Sequence, residues 1–413
     1  MNNNTKSILD LYNDDIIELD ISNKNIKGYL NLSKFKKLKK LNCSNNNITK
    51  IIGIKNLTNI DCSNNKIIKL SDGLFFSSQN NITTNPIEEI EYPFDKNKGF
   101  FGNTVKKIIF TDDFNDNIDN LPLGLEILIL GKKFNKSVDN LPNTLKEIHF
   151  GNSFNQPLDY LPNSLNKIVF EQNFNQSLDN LPNSINEIKF NVSNFNENKF
   201  NYDINFLPNQ LSKLILPSNF DKEIFNFPPN LKYLYLGKKF NKTLNNLPES
   251  LEILIFDSQY NQQIYKLPNN LRHLSFSKKM NYSNLLKILP NSMISLCLPD
   301  DNRIYSINNN IISNLKKIKI ENFNYNNFVF DIIKNSNLEE LFLQVYLIKI
   351  DVILSNLPKT IKKLTVVNIK TIKEHIRITT NLLPNSLNFF QINGNKYDEN
   401  KLKYISNEQF YNL

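Results

Sequence analysis

Residues 134–141 read FNKSVDNL, residues 154–161 read FNQPLDYL and residues 174–181 read FNQSLDNL, and each is followed by Pro at the next position. The copies stand 20 residues apart. A fixed period of this length marks an array of small supersecondary units, none able to bury its apolar side chains alone, stacked so that neighbours close one another's core.

Working outward from that block, every copy carries one strand signature, apolar-x-x-apolar-x-apolar. It falls at Leu125, Leu128 and Leu130, at Leu145, Ile148 and Phe150, and at equivalent places through Ile185, Ile188 and Phe190. After a short insertion it resumes at Leu211, Leu214 and Leu216 and repeats to Leu271, Leu274 and Phe276. With looser spacing it extends to Leu387, Phe390 and Ile392, and upstream to Val105, Ile108, Phe110 and Ile87, Ile90, Tyr92. The rungs at Leu38 and Leu57 have the form LxxLxCxxNxI, and an imperfect first rung sits near Ile16, Leu19 and Ile21.

The stretches LKKLNCSNNNI and LTNIDCSNNKI resemble leucine-rich repeats, which implies that Asn46 and Asn65 bond to backbone inside their turns. The central block resembles the FNIP repeat family, whose pattern joins Phe-Asn, Leu-Pro and the LxxLxF strand. The pair occurs at Phe114, Phe134, Phe154, Phe174, Phe200 and Phe240, with degenerate copies at Phe220, Tyr260 and Met280. Repeats of this kind are found in amoebae and giant viruses. The resemblance implies a leucine-rich-repeat-like solenoid, predominantly β, with one long curved parallel sheet and irregular or short helical connections. The expected organisation is an extension at 1–15, leucine-rich-repeat-like turns at 16–92, FNIP-type repeats at 93–298, degenerate turns at 299–392 and a cap at 393–413.

In a stacked parallel array identical positions lie ~4.8 Å apart, so each column of the alignment is a ladder in space. The strand apolar positions, the Phe and the Leu of Leu-Pro should point inward, and the Asn after each Phe should ladder along its turn. Pro122, Pro142, Pro162 and Pro182 fix where each turn ends. Alternation leaves the third and fifth strand positions on the exposed face. The third reads Glu147, Lys167, Glu187, Lys213 in alternating sign, as cross-strand neighbours should. On the same face Tyr233, Tyr235, Ile253 and Ile255, with His273 beside them, form an apolar and aromatic patch expected to bind a partner. The smaller patch of Ile127 and Ile129 is read as ordinary strand preference.

Composition bounds the rest. The 413 residues include no Ala or Trp, 10 Gly, and Arg only at Arg272, Arg303 and Arg377, with Asn, Lys, Ile and Phe in excess. These residues share A/T-rich codons, so much of the bias is genomic. The net charge of +9 is almost all Lys, scattered among Glu, and reads as a solvated surface. No basic segment leads into an apolar one at the N-terminus, and no apolar run approaches membrane-spanning length. The expectation is a monomeric cytoplasmic protein, in host cytoplasm if viral, that is not secreted. Cys43 and Cys62, at equivalent positions 19 residues apart, should stack as small buried side chains.

No catalytic residue, metal site or cofactor is expected: His149, His273 and His375 are scattered, and neither a phosphate loop nor HExxH occurs. The leading functional expectation is a non-enzymatic scaffold binding a protein partner, of the host if the source is viral, through the concave sheet. The alternative is substrate recognition in a ubiquitin ligase complex. About fifteen residues precede the first rung, too few for an F-box, and Cys297 sits within a strand signature rather than a catalytic segment. Nucleic acid is not expected as a partner, because Glu339 and Glu340 break the basic rungs at Lys316, Lys317, Lys319 and Lys362, Lys363.

Overall fold

The structure is a computed structural model that describes residues 8–53, 57, 59–62, 65, 69–70, 82–83, 89–92, 106–110, 112–119, 121–191, 198–257, 260–277, 280, 282–300, 304–323, 327–345, 350–368, 383–392 and 395–397. The chain divides into two compact units, Met1–Leu211 and Ser212–Leu413. Both are stacks of short parallel strands.

The first unit contains β1 (Glu18–Asp20), β2 (Lys27–Asn31), β3 (Lys40–Asn42), β4 (Asn47–Ile52), β5 (Asn59–Asp61), β6 (Lys69–Leu70), β7 (Ile82–Thr83), β8 (Glu89–Tyr92), β9 (Lys107–Phe110), β10 (Ile127–Ile129), β11 (Glu147–His149), β12 (Lys167–Phe170) and β13 (Glu187–Phe190). From β9 to β13 every pairing is parallel and displaced by one repeat: Leu128 lies between Ile108 and Ile148, and Phe170 lies beside Phe190. The period of the sequence is therefore the register of the sheet.

Each fixed position of the repeat has a physical task. Phe134, Phe154 and Phe174 are buried and stack with ring centroids 6.2 and 6.0 Å apart. The strand-end Phe of the same rung packs against them, Phe150 on Phe154 at 3.9 Å. The Pro of Leu-Pro closes a tight turn, because its carbonyl accepts the N–H of the first strand residue, as from Leu145 to Pro142 at 3.0 Å. The Asn after each Phe forms the expected ladder: its side-chain carbonyl accepts the backbone N–H of the equivalent Asn one rung on, from Asn135 to Asn115 at 2.8 Å and from Asn175 to Asn155 at 2.8 Å.

A second ladder escaped the sequence reading. The hydroxyl just before the strand donates to the carbonyl of the first strand residue of the preceding rung, Thr144 to Leu125 at 2.8 Å, Ser164 to Leu145 at 2.8 Å and Ser184 to Leu165 at 2.6 Å. The 26-residue spacing from Phe174 to Phe200 does not break the stack. Asn198, 2% exposed, donates to the Glu171 carbonyl at 2.7 Å, and Asn201 still donates its N–H to Asn175.

The N-terminal turns add a second parallel sheet. β1, β3, β5 and β7 form one sheet, while β2, β4, β6, β8 and β9 continue into the other. The LxxLxC strands at Leu38 and Leu57 thus do not share a column with the LxxLxF strands, as the alignment of signatures would have them. The column that continues upstream is the second strand of each turn, NITKII at β4, whose β-branched residues suit a strand. Asn46 bonds to backbone as expected, accepting from Ile26 N–H at 2.9 Å and donating to the carbonyls of Ile21 and Cys43 at 3.0 and 2.9 Å. Cys43 and Cys62 are buried free thiols, burial pushing the first far above its ordinary value and the second up to about 12.

The second unit continues the pattern with β14 (Lys213–Ile215), β15 (Tyr233–Leu236), β16 (Ile253–Phe256), β17 (His273–Ser275), β18 (Ser295–Leu298), β19 (Lys317–Phe323), β20 (Glu340–Val345), β21 (Lys363–Asn368), β22 (Phe389–Ile392) and β23 (Asn395–Tyr397). β14 to β22 pair in parallel and in sequence, and β23 turns back antiparallel on β22. Four of the longer connections contain a short helix: α1 (Ser283–Lys287), α2 (Asn309–Asn314), α3 (Asn327–Lys334) and α4 (Ile350–Leu354). Asn308 caps α2 by accepting the Asn310 N–H at 2.9 Å. Among the described residues no helix is long and apolar enough to cross a membrane.

Candidate functional site

The outward strand positions of the second unit form the face on which the candidate residues meet. Parallel register places Tyr233 beside Ile253 and Ile253 beside His273, while Tyr235 lies beside Ile255 and Ile255 beside Ser275. All five candidates share one surface. None stands fully in water: Tyr233, Tyr235, Ile253, Ile255 and His273 are each half-buried, because side chains at ladder spacing cover one another.

Polar groups fix this patch. The Tyr235 hydroxyl donates to the Asp257 carboxylate at 2.8 Å, and burial, then that bond, hold its phenol far above the ordinary range. The ring of Tyr233 carries the Lys213 ammonium 5.5 Å from its centroid. Burial, reinforced by Lys317 and Arg272, pulls His273 below its ordinary value and favours the neutral imidazole. The result is a pre-arranged aromatic and aliphatic surface with one anchored phenol.

Cys297, next along the face and level with Ser275, is half-buried, and burial pushes its thiol up. That is the environment of an inert cysteine rather than a nucleophile. Further on, Glu339 bridges Lys316 at 3.4 Å and Lys362 at 2.7 Å, Lys317 pairs with Glu340 at 2.7 Å, and Lys319 with Glu321 at 3.1 Å. Lys363 lies over the ring of Phe389 at 5.4 Å. These basic rungs are neutralised within the sheet itself.

In the first unit ion pairs run along the strands and their entries. Glu126, just before β10, bridges Lys106 at 2.9 Å and Lys146 at 2.6 Å. Glu147 pairs with Lys167 at 2.9 Å, which realises the alternation of sign read from the sequence. The same Glu147 oxygen also meets His149 Nε2 at 2.5 Å. His149 lies in β11, half-buried against Glu147, because residues i and i+2 of a strand share a face. Burial works to raise the Glu147 carboxyl, but His149 and Lys167 together hold it below the ordinary range. His375, and Ile87 and Val105 of the upstream signatures, lie outside the described residues.

Sequence reasoning also passed over the most exposed rings. Tyr160 and Phe206 in the first unit are each 72% exposed, and Phe225 and Tyr265 in the second are 62% and 68% exposed. Tyr160 and Phe206 directly precede Leu-Pro, in the column of Asn140 and Asn180, and Phe225 and Tyr265 stand one position earlier, in the column of Asp139 and Asp179. The signal was present as aromatics in two otherwise polar columns. Among the described residues no group of three or more His, Cys, Asp or Glu gathers where a metal ion could be held.

Residues 114–153, 134–173, 154–193, 220–256 and 240–279 match the FNIP Repeat family. No curated protein matches the chain. Among solved structures the chain is similar to CroV588, a circular leucine-rich-repeat protein from a giant virus, at 23% identity over 91% of this chain and 69% of that one, with a TM-score of 0.47. It is also similar to YopM from Yersinia enterocolitica WA-314, at 16% identity over 94% and 93% of the two chains and a TM-score of 0.32. A leucine-rich-repeat protein of Leptospira interrogans is 16% identical over 91% and 95%, with a TM-score of 0.24.

Proposed function

For a chain that carries FNIP repeats across residues 114–193 and 220–279, we propose the role of a non-enzymatic scaffold that binds a protein partner through the sheet face of its second unit. The observation that supports this reading is the Tyr233, Tyr235, Ile253 and Ile255 block, four aromatic or β-branched side chains in direct cross-strand register with the phenol of Tyr235 held by Asp257. Aromatic and aliphatic groups fixed in place lose little rotamer freedom on binding, which is what an interface centre requires. His273 and Lys213 edge the block and select the partner's orientation. The neutralised lysines further along the face fit a protein partner better than a polyanion.

The test is capture of partners from the native host's lysate by the intact chain and by a Tyr233→Ala, Tyr235→Ala variant. Loss of the captured protein from the variant, with a cooperative melt retained, supports this face. Equal capture by both moves the binding elsewhere on the molecule. An E1/E2 reaction that leaves no ubiquitin linked to Cys297 is the accompanying expectation of a scaffold without ligase chemistry.

A further inference from the structure

The turn edge of the first unit has a pairing rule with two exceptions. The residue before Leu-Pro reaches the Asp of the preceding rung: Asn140 donates to Asp119 at 3.3 Å and Asn180 donates to Asp159 at 2.7 Å. In the two rungs that break the rule that residue is an exposed ring, Tyr160 in the rung after Asp139 and Phe206 in the rung after Asp179. Asp139 accepts from its own-rung Ser137 at 2.7 Å, and among the described residues no Lys or Arg pairs with Asp119, Asp139, Asp159 or Asp179. Along the strands and their entries in the same unit, in contrast, Glu126 and Glu147 are each matched by Lys.

We propose that Tyr160 and Phe206 form a docking surface for an extended, cationic segment of a partner protein. The observation that selects this occupant is charge complementarity around exposed rings. A ring 72% exposed offers its face to a cation, and the carboxylate of the preceding rung, lacking its Asn, supplies the counter-charge. The two ring-and-carboxylate positions are two rungs apart, about 10 Å. That matches cationic side chains three residues apart on an extended segment of polyproline II form, which returns to the same side every third residue after about 9 Å. This surface shares no residue with the Tyr233 to His273 block, so the two are separate in their tests.

The experiment is fluorescence anisotropy of the full chain with a labelled Gly-rich peptide carrying Arg at every third position, and with the same peptide carrying Glu. The expected result is saturable binding of the Arg peptide alone, weakening as salt rises from about 0.05 to about 0.3 M. A Tyr160→Ser, Phe206→Ser variant and an Asp139→Asn, Asp179→Asn variant should each bind about fivefold or more weakly. The Asp119→Asn, Asp159→Asn and Tyr233→Ala, Tyr235→Ala variants should bind within about twofold of the parent, and all should still unfold cooperatively. Absence of binding, equal binding of the Glu peptide, or undiminished binding by the ring variant overturns the proposal. So does self-association of the parent that the ring variant abolishes, since the occupant is then a second copy of this chain.

Discussion

The side-chain carbonyl of Asn135 accepts the backbone N–H of Asn155, one rung on, at 2.9 Å, and also the side-chain amide of Gln156 at 3.0 Å. A turn without regular backbone partners is thereby tied to the next turn. Asn135→Ala leaves the part-buried Asn155 N–H without its acceptor and should lower stability by about 1–3 kcal/mol. Urea unfolding checks this, with a shifted midpoint and an unchanged m-value as the expected signature.

Gly151 stacks on Gly131 so closely that a Cβ would lie 2.0 Å from the Gly131 carbonyl oxygen. Gly151→Ala must therefore push rungs apart, at a cost of several kcal/mol. Gly237→Ala should behave alike, since its Cβ would meet the Pro217 carbonyl oxygen at 1.9 Å. Gly28→Ala has open space and suffers only from its φ of +76°, a cost of about 1 kcal/mol. Thermal melts should show Gly151→Ala and Gly237→Ala well below Gly28→Ala, and equal melts would refute the close-stacking account.

Tyr260 takes a Phe place in the core column, parallel to Phe240 with centroids 6.3 Å apart. Its hydroxyl is buried with no hydrogen-bond partner among the described residues. Tyr260→Phe should raise stability by about 1 kcal/mol, because a desolvated hydroxyl is removed without loss of packing. Tyr282→Phe, which deletes a bond to the Asp300 carboxylate at 2.7 Å, should lower it. Calorimetry that finds both changes destabilising would count against the first.

His273 has its pKa pulled down by burial, then by Lys317 and Arg272. The folded state therefore binds fewer protons at this site than the unfolded state, and the associated stability is lost as pH falls through and below the ordinary histidine range. His273→Gln should flatten the decline in melting temperature between about pH 7 and about pH 5. An unaltered profile would mean that His273 does not contribute to it.

Burial pushes all three thiols up, and only Cys297 is partly exposed. In the native protein Cys297 alone should react with a disulfide reagent, more slowly than a free thiol, and accelerate as pH rises. Cys43 and Cys62 should become reactive only on unfolding.

Much of this was legible because a column repeats. Asn135, Asn155 and Asn175 recur at one position, and a residue that recurs in a stacked array must meet its own copy. Glu147 and Lys167 were readable for the same reason. What repeated only as a class, such as Thr144, Ser164 and Ser184, was passed over, although each hydroxyl repeats the same bond. What does not repeat was hidden: the Glu147–His149 contact lies within one strand, and Tyr260 differs from its column by one oxygen.

The sequence by itself determined the period, the parallel register of the central rungs, the inward Phe and Leu columns and the candidate face at Tyr233 to His273, since each follows from spacing and side-chain polarity. Only the tertiary structure decided which signatures share a sheet, because LxxLxC and LxxLxF look alike in one dimension while pairing depends on which strand of a turn lies against which. It also decided exposure: Tyr233 and Tyr235 are half-buried in the sheet face, whereas Tyr160 and Phe206, in the turns, are each 72% exposed.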